Sequence, residues 1–173
     1  MSEPSIREAS SPSDYATFAC LCRDYVDWCR ARYADLPWFV KEVFDYQSLD
    51  GELALLAVKY GLPNGRTMVA EIDGEIVAAG ATHRLDDRRC ELKRLYVADH
   101  AEGHGLGRRL SEALIDAATA DGFATIQLDT GDRLIEAIAL YRSMGFDTIE
   151  PYLTYPDRLL PHLVFMEKRL VQK

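Results

Sequence analysis

The sequence predicts a mixed α/β domain in which one sheet is flanked by helices. Three observations predict it. Apolar residues recur at helical spacing through the first third of the chain, strand-like runs joined by hairpin turns follow, and the second half alternates strands with helices. At 173 residues the chain suits one compact domain over positions 1–173 and is tight for two.

Ser5 to Ala9 alternates and reads as a strand. Ser13 and Asp14 offer N-cap chemistry for a helix from about Tyr15 to Tyr33, whose apolar positions include Phe18, Leu21, Cys22, Tyr25, Val26 and Cys29. Pro37 interrupts that pattern. Helical stretches over about Trp38–Tyr46 and Leu49–Val58 come next, and Gly61 to Gly65 is a loop. Thr67–Ile72 and Glu75–Ala81 read as strands joined at Asp73-Gly74, residues that tolerate the positive φ of a type I′ turn. A turn through Asp86-Asp87 leads into a strand over Arg89–Val97. Beyond it lie a helix from Gly105 to about Asp121 and a strand over Thr125–Asp129. A helix over about Leu134–Met144 and strands near Asp147–Ile149 and Val164–Leu170 complete the chain.

Composition narrows the function classes. Apolar residues make up 48% and charged residues 28%, ordinary for a globular protein. The net charge of −8 disfavours nucleic acid as a partner, because phosphate binding relies on basic clusters; it mildly favours a neutral or cationic partner. No apolar run reaches the roughly 18 residues that span a bilayer, and Met1 to Ser5 lacks the regions of an export signal. A cytoplasmic location without membrane association is therefore expected. Cys20, Cys22, Cys29 and Cys90 form no Cys-x-x-Cys pair and have no histidine at ligand spacing, so reduced thiols and no metal are expected.

Gly103-His104-Gly105-Leu106-Gly107-Arg108 stands between a strand and a helix. Glycine lets the backbone turn tightly, and the first N–H groups of the helix have no intrahelical acceptor. Together with the helix dipole they form a seat for phosphate, to which Arg108 and Arg109 add charge. Spaced glycines also occur in turns that bind nothing. The dinucleotide fingerprint needs a small residue where Arg108 stands, and a Walker loop is absent.

The blocks around this turn are more specific: Glu91-Leu92-Lys93-Arg94-Leu95-Tyr96-Val97 before it, Leu128-Asp129-Thr130 after its helix, then Leu140-Tyr141-Arg142-Ser143-Met144-Gly145-Phe146. In this order and spacing the chain resembles the GNAT N-acetyltransferase superfamily, most specifically from about Arg66 to Phe146. The resemblance implies an acetyl-coenzyme A-dependent acyltransferase with a mostly antiparallel sheet of six to seven strands. Its central strands would splay at the strand ending in Val97, leaving a slot for pantetheine. The amides of Leu95 and Val97, flanking Tyr96, would bond the pantetheine arm, and Gly103, His104, Gly105, Leu106, Gly107 and Arg108 would hold the diphosphate. Two positions depart from the family pattern. Glu102 stands where Gln or Arg is usual, and Leu134 stands where many members have Asn.

The resemblance also suggests who does the chemistry. The acceptor, a small-molecule or peptide amine, must shed a proton before attack, since an alkylammonium has a pKa near about 10.4. Glu91 matches a base position in part of the family; the alternatives are a carboxylate merely paired with Arg89, Lys93 or Arg94, or a proton taken by Glu71 or a water chain. Tyr141 is placed to contact the coenzyme and protonate the departing thiolate, against the plain reading of a helix tyrosine packed on the sheet. A backbone N–H within Leu95–Val97 would meet the oxyanion. The aromatic set Tyr25, Trp28, Tyr33, Trp38, Phe39, Phe44 and Tyr46 occupies the family's acceptor-lining region, with Tyr152 and Tyr155 bordering it. Simple helix–sheet packing explains the same residues. No histidine is given a role, and Cys90, opposite Glu91 by strand alternation, is no nucleophile. A homodimer is a common family state. The competing class is a non-catalytic acyl-coenzyme A-binding regulatory module.

Overall fold

A computed structural model of the protein describes residues 3–171; Met1 and Ser2, which open the segment read for an export signal, lie outside them. The sheet contains β1 (Ser5–Glu8), β2 (Gly65–Ile72), β3 (Glu75–Arg84), β4 (Arg89–Val97), β5 (Thr125–Gly131), β6 (Asp147–Ile149) and β7 (Leu163–Arg169). Their spatial order is β1-β2-β3-β4-β5-β7-β6, and every neighbouring pair is antiparallel except β4–β5. A parallel pair needs a crossover, which α5 (Leu106–Ala120) supplies.

Helix α1 (Pro12–Arg32) starts earlier than its apolar spacing suggests. Its N-cap is Ser11 rather than Ser13. Ser11 Oγ accepts the Asp14 N–H at 3.1 Å, and the Asp14 carboxylate accepts the Ser11 N–H at 3.1 Å, a reciprocal capping box. Pro37 ends nothing by itself. It occupies the first turn of α2 (Pro37–Tyr46), where its missing N–H costs no bond. The run expected as one helix over Leu49–Val58 is instead two short turns, α3 (Leu49–Leu53) and α4 (Leu56–Lys59). Leu55 between them has ψ near 23° and starts the second turn, so the apolar residues follow two axes. The remaining helix is α6 (Ile135–Ser143), and the Asp73-Gly74 turn has the expected positive φ at both residues.

The core lies in two layers around the sheet. On one side Phe18, Leu21 and Cys22 of α1 meet Val69, Ala79 and Ala81, while Val26, Cys29 and Tyr33 join Phe39 and Val40 of α2 against Phe165. On the other, Leu114 and Ala118 of α5 and Tyr141 of α6 pack on Cys90, Leu92, Ile126, Leu128 and Met166. The Tyr33 hydroxyl donates to Asp132 Oδ1 at 2.8 Å and accepts the Arg133 N–H at 2.9 Å. That contact ties the end of α1 to the loop that delivers α6. Cys22, Cys29 and Cys90 are buried and form no disulfide; burial pushes each thiol up to about 12, so none is a nucleophile at neutral pH.

Candidate active site

Strands β4 and β5 pair only over Arg89↔Thr125, Cys90↔Ile126 and Glu91↔Gln127, although β4 runs on to Val97 and β5 to Gly131. Beyond Glu91 the two strands part. The slot between them is a cavity of about 270 Å³ walled by Leu92–Val97 on one side and by 128–131 on the other. Tyr141 and Leu134 enter it from α6, Tyr25 and Trp28 from α1.

A bulge produces the parting. Register runs from Ala81↔Lys93 to Ala79↔Tyr96, so Gly80 alone faces Arg94 and Leu95. Arg94 has φ of 58°, a left-handed conformation that costs a non-glycine residue about 1–2 kcal/mol. Gly80 opposite it leaves room for Leu95: a Cβ there would stand 2.7 Å from Leu95 Cδ1 and force that side chain to shift. The bulge directs Lys93 and Arg94 toward the same two cavities, the slot and a second one of about 380 Å³ beside it.

The free edge of β4 has a definite donor pattern. The Ala98 N–H bonds Val77 O on β3 at 2.9 Å. Successive N–H groups leave a strand on opposite edges, so those of Val97 and Leu95 face the slot while that of Tyr96 faces β3. At the same end, Gly103 and Gly105 take φ of 85° and 66°, and Gly105 caps α5 with no side chain to satisfy its first amides. The backbones of Leu106, Gly107 and Arg108 therefore offer donors. Each arginine side chain at this end also has a protein partner. Arg108 Nη2 donates to Ser143 Oγ at 2.6 Å, and Arg109 Nη2 donates to Pro4 O at 2.8 Å. Glu102 is exposed at the slot margin, where solvent screens its charge.

Residues 21–146 match the acetyltransferase (GNAT) family. The chain belongs to the GNAT acetyltransferase family. An uncharacterized N-acetyltransferase of Schizosaccharomyces pombe is 34% identical over 164 residues, covering 94% of this chain and 92% of the relative. An IAA acetyltransferase of Azospirillum brasilense is 39% identical over 110 residues, 62% of this chain and 70% of that one. Among solved structures, an acetyltransferase from Streptococcus agalactiae superposes with a TM-score of 0.73 at 22% identity, covering 98% of this chain and all of that one. The PaiA N-acetyltransferase of Thermoplasma acidophilum, solved in complex with coenzyme A, gives 0.70 at 18% identity and covers 98% and 99% of the two chains. These two likenesses establish the fold.

Within this GNAT fold the expected catalytic residues occupy different cavities. Tyr141 lines the slot, is 5% exposed, and its hydroxyl makes no hydrogen bond among the described residues. Burial, reinforced by the Asp129 charge, pushes its phenol above the ordinary value. Glu91 lines the side cavity instead. Its carboxylate accepts from the Tyr152 hydroxyl at 2.7 Å and lies 3.3 Å from Lys93 Nζ and 3.4 Å from His83 Nε2. Burial alone would raise it, but Lys93, His83 and Tyr152 outweigh burial and hold it below the usual range. Of the ion-pair partners considered, Lys93 is real, whereas Arg89 pairs with Asp86 and Arg94 with Glu52. Glu71 is held by Arg7 at 2.6 Å near the sheet's edge and lines neither cavity.

Of the aromatic set, Tyr25, Trp28, Tyr33, Phe39 and Phe44 line the slot. Tyr46 reaches the side cavity, and Trp38 packs on Phe39 and His162. Leu134 is the N-cap of α6, makes no side-chain cap, and is buried in the α1–α2 core, so packing replaces the capping an Asn would give. Sequence reasoning missed several residues here. Asp129 accepts from Lys93 Nζ at 2.7 Å and from the Tyr155 hydroxyl at 2.9 Å. Glu52 accepts from Arg94 Nε at 2.7 Å, from the Tyr60 hydroxyl at 2.8 Å and from Lys59. One signal was available: Glu52 stands three residues after Leu49 and four before Leu56, a charge within an apolar helical stripe.

Proposed function

We propose that the protein transfers an acetyl group from acetyl-coenzyme A to a primary amine of a small molecule or peptide, by direct attack in a ternary complex in the cytoplasm. One observation carries the reading: a strand edge with free N–H groups, an uncapped helix start and an uncommitted tyrosine hydroxyl meet at one slot. The Leu95 and Val97 amides would pair with the pantetheine arm as a neighbouring strand would. The amides from Gly103 to Arg108, with His104 beside them, would take the diphosphate. Acetyl-coenzyme A supplies the thioester. Its carbonyl oxygen, gaining charge on attack, would be met by an N–H of Leu95–Val97.

Protons leave and arrive on opposite sides. As the C–N bond forms and the C–S bond breaks, the amine releases a proton and the sulfur acquires one. Tyr141, kept protonated by its burial, is the donor to sulfur. Glu91, kept ionised by Lys93, is the acceptor for the amine proton, directly or through water, with half-buried His83 as the way out to solvent.

Isothermal calorimetry with acetyl-coenzyme A tests the first half of the reading, and release of coenzyme A thiol with a panel of amines tests the second. Binding together with turnover is expected; binding with no turnover would favour a regulatory module. Glu91→Gln is expected to lower kcat/KM about 100-fold at neutral pH and, because the wild-type carboxyl is held below the usual carboxylate range, to remove its inflection from the acidic end of the pH–rate profile. An unchanged profile would remove Glu91 from proton transfer and point to a water chain.

A further inference from the structure

The geometry points to an acceptor that carries a carboxylate as well as its amine, an amino acid, seated where the slot and the side cavity meet. The inference rests on the acetyl-transfer reading and names the substrate class of that same site. Gln47, Lys93 and Arg94 border both cavities, so a molecule in the side cavity that extends an amine toward the slot must pass them.

Two of these three carry polar atoms with no hydrogen-bond partner among the described residues: Arg94 Nη2 and Gln47 Oε1, both buried. Arg94 is more than nine-tenths buried, and Glu52 engages its Nε at 2.7 Å. A buried guanidinium N–H left unmade is costly, so Arg94 Nη2 offers a charge-assisted donor to an acceptor oxygen, for which a carboxylate is the strongest partner. The orientation of Gln47 follows from its neighbours. The Asp129 carboxylate only accepts, so the Tyr155 hydroxyl must donate to it at 2.9 Å. The Tyr155 oxygen then accepts from Gln47 Nε2 at 2.9 Å, which leaves Gln47 Oε1 as the free acceptor. One cationic donor and one neutral acceptor thus stand unmatched on residues that line the junction. They complement a carboxylate and an amine on one molecule.

Charge supports the same class. Around the junction Glu52, Glu91 and Asp129 are matched by Lys59, Lys93 and Arg94, all in contact. The site therefore lacks the excess negative charge that would draw a polyamine or an aminoglycoside, despite the acidity of the chain as a whole. A zwitterion enters without leaving an unpaired charge behind.

The test uses wild-type protein saturated with acetyl-coenzyme A and follows thiol release with the standard amino acids, then with the carboxamide of the best of them. The amino acid is expected to exceed its carboxamide in kcat/KM by about 10-fold or more, the size of a lost charge-assisted hydrogen bond. Arg94→Lys keeps the charge beside Glu52 but loses the planar fork. It should raise KM for the amino acid about 10-fold more than KM for the carboxamide, so that the preference for the acid is lost. Equal rates for acid and carboxamide, or turnover only of amines without a carboxylate, overturn the inference. So does silence from every amino acid while calorimetry still shows acetyl-coenzyme A binding, and in that case the coenzyme assignment stands. No coenzyme binding at all would instead remove the reading beneath it.

Discussion

Tyr141→Phe is expected to reduce kcat about 100-fold or more, the usual loss when a positioned proton donor is removed, with the affinity for acetyl-coenzyme A within about twofold. The substitution deletes one oxygen and nothing else. The ring keeps its place beside Phe146, 5.5 Å between centroids, and the hydroxyl bonds to no described residue, so no fold contact is lost. The donor must also be protonated to act. Burial raises its phenol, and the negative charge of Asp129 adds to the effect, so it holds its proton across the working range. Steady-state thiol release gives kcat, and calorimetry gives Kd for the coenzyme. A kcat within about twofold of wild type would make Tyr141 a packing residue and leave the departing sulfur without a protein donor. A parallel loss of binding would show that the hydroxyl positions the coenzyme.

The largest stability effect is expected at Glu52, far in sequence from the glycine-rich turn. Glu52→Gln should cost about 3–5 kcal/mol, a fall in Tm of roughly 6–20 °C for a chain of this size. Glutamine has the same shape but leaves the Arg94 guanidinium, whose side chain is 4% exposed, without its counter-ion. It also weakens the anchor that holds Arg94 in its left-handed conformation, and with it the bulge that parts β4 from β5. The pH dependence has a definite sign. Burial pushes the Glu52 carboxyl up, but Arg94 and Lys59 outweigh burial and hold it at about 2, below the usual 4.5. A carboxyl depressed on folding stabilises the native state above its unfolded pKa and loses that contribution as pH falls through the folded value. Wild type should therefore lose stability between pH 4.5 and about 2, and the variant should show a shallower decline there from a lower starting point. Thermal melts at neutral pH and across that acid window measure both. Identical melting at neutral pH would mean that solvent or another residue compensates Arg94, and the account of the bulge would fail.

Most of the fold was legible because its signals are local. Strand alternation, the Asp73-Gly74 turn and the glycines after α5 and α6, Gly122 and Gly145, need only neighbours in sequence. Where the reading missed, a more distant contact or a finer local geometry decided. Ser11 rather than Ser13 begins α1 because Asp14 reaches back to close the capping box and is itself gripped by Arg7 of β1. The stretch after Leu49 breaks in two, and its first turn presents Glu52 to Arg94, 42 residues later. Among candidate site residues, the uncapped start of α5 with its left-handed glycines was readable from glycine spacing. The protein partners of the arginine side chains beside it were not, because Ser143 and Pro4 reach them only in the folded chain.

By itself the sequence determined the family and the order of elements, and it singled out the glycine-rich backbone proposed to face the coenzyme, since these depend on residue types at fixed local spacing. Only the tertiary structure decided which side chains share a cavity. It separated Tyr141 from Glu91, joined Glu91 to Lys93, Tyr152 and His83, and left one guanidinium nitrogen and one amide oxygen unmatched among the described residues, at a junction built by β4 and the turn from α2 to α3. The physical reason is that burial and pairing set the charge and hydrogen-bonding capacity of a side chain, and both arise from partners that meet only when distant segments pack.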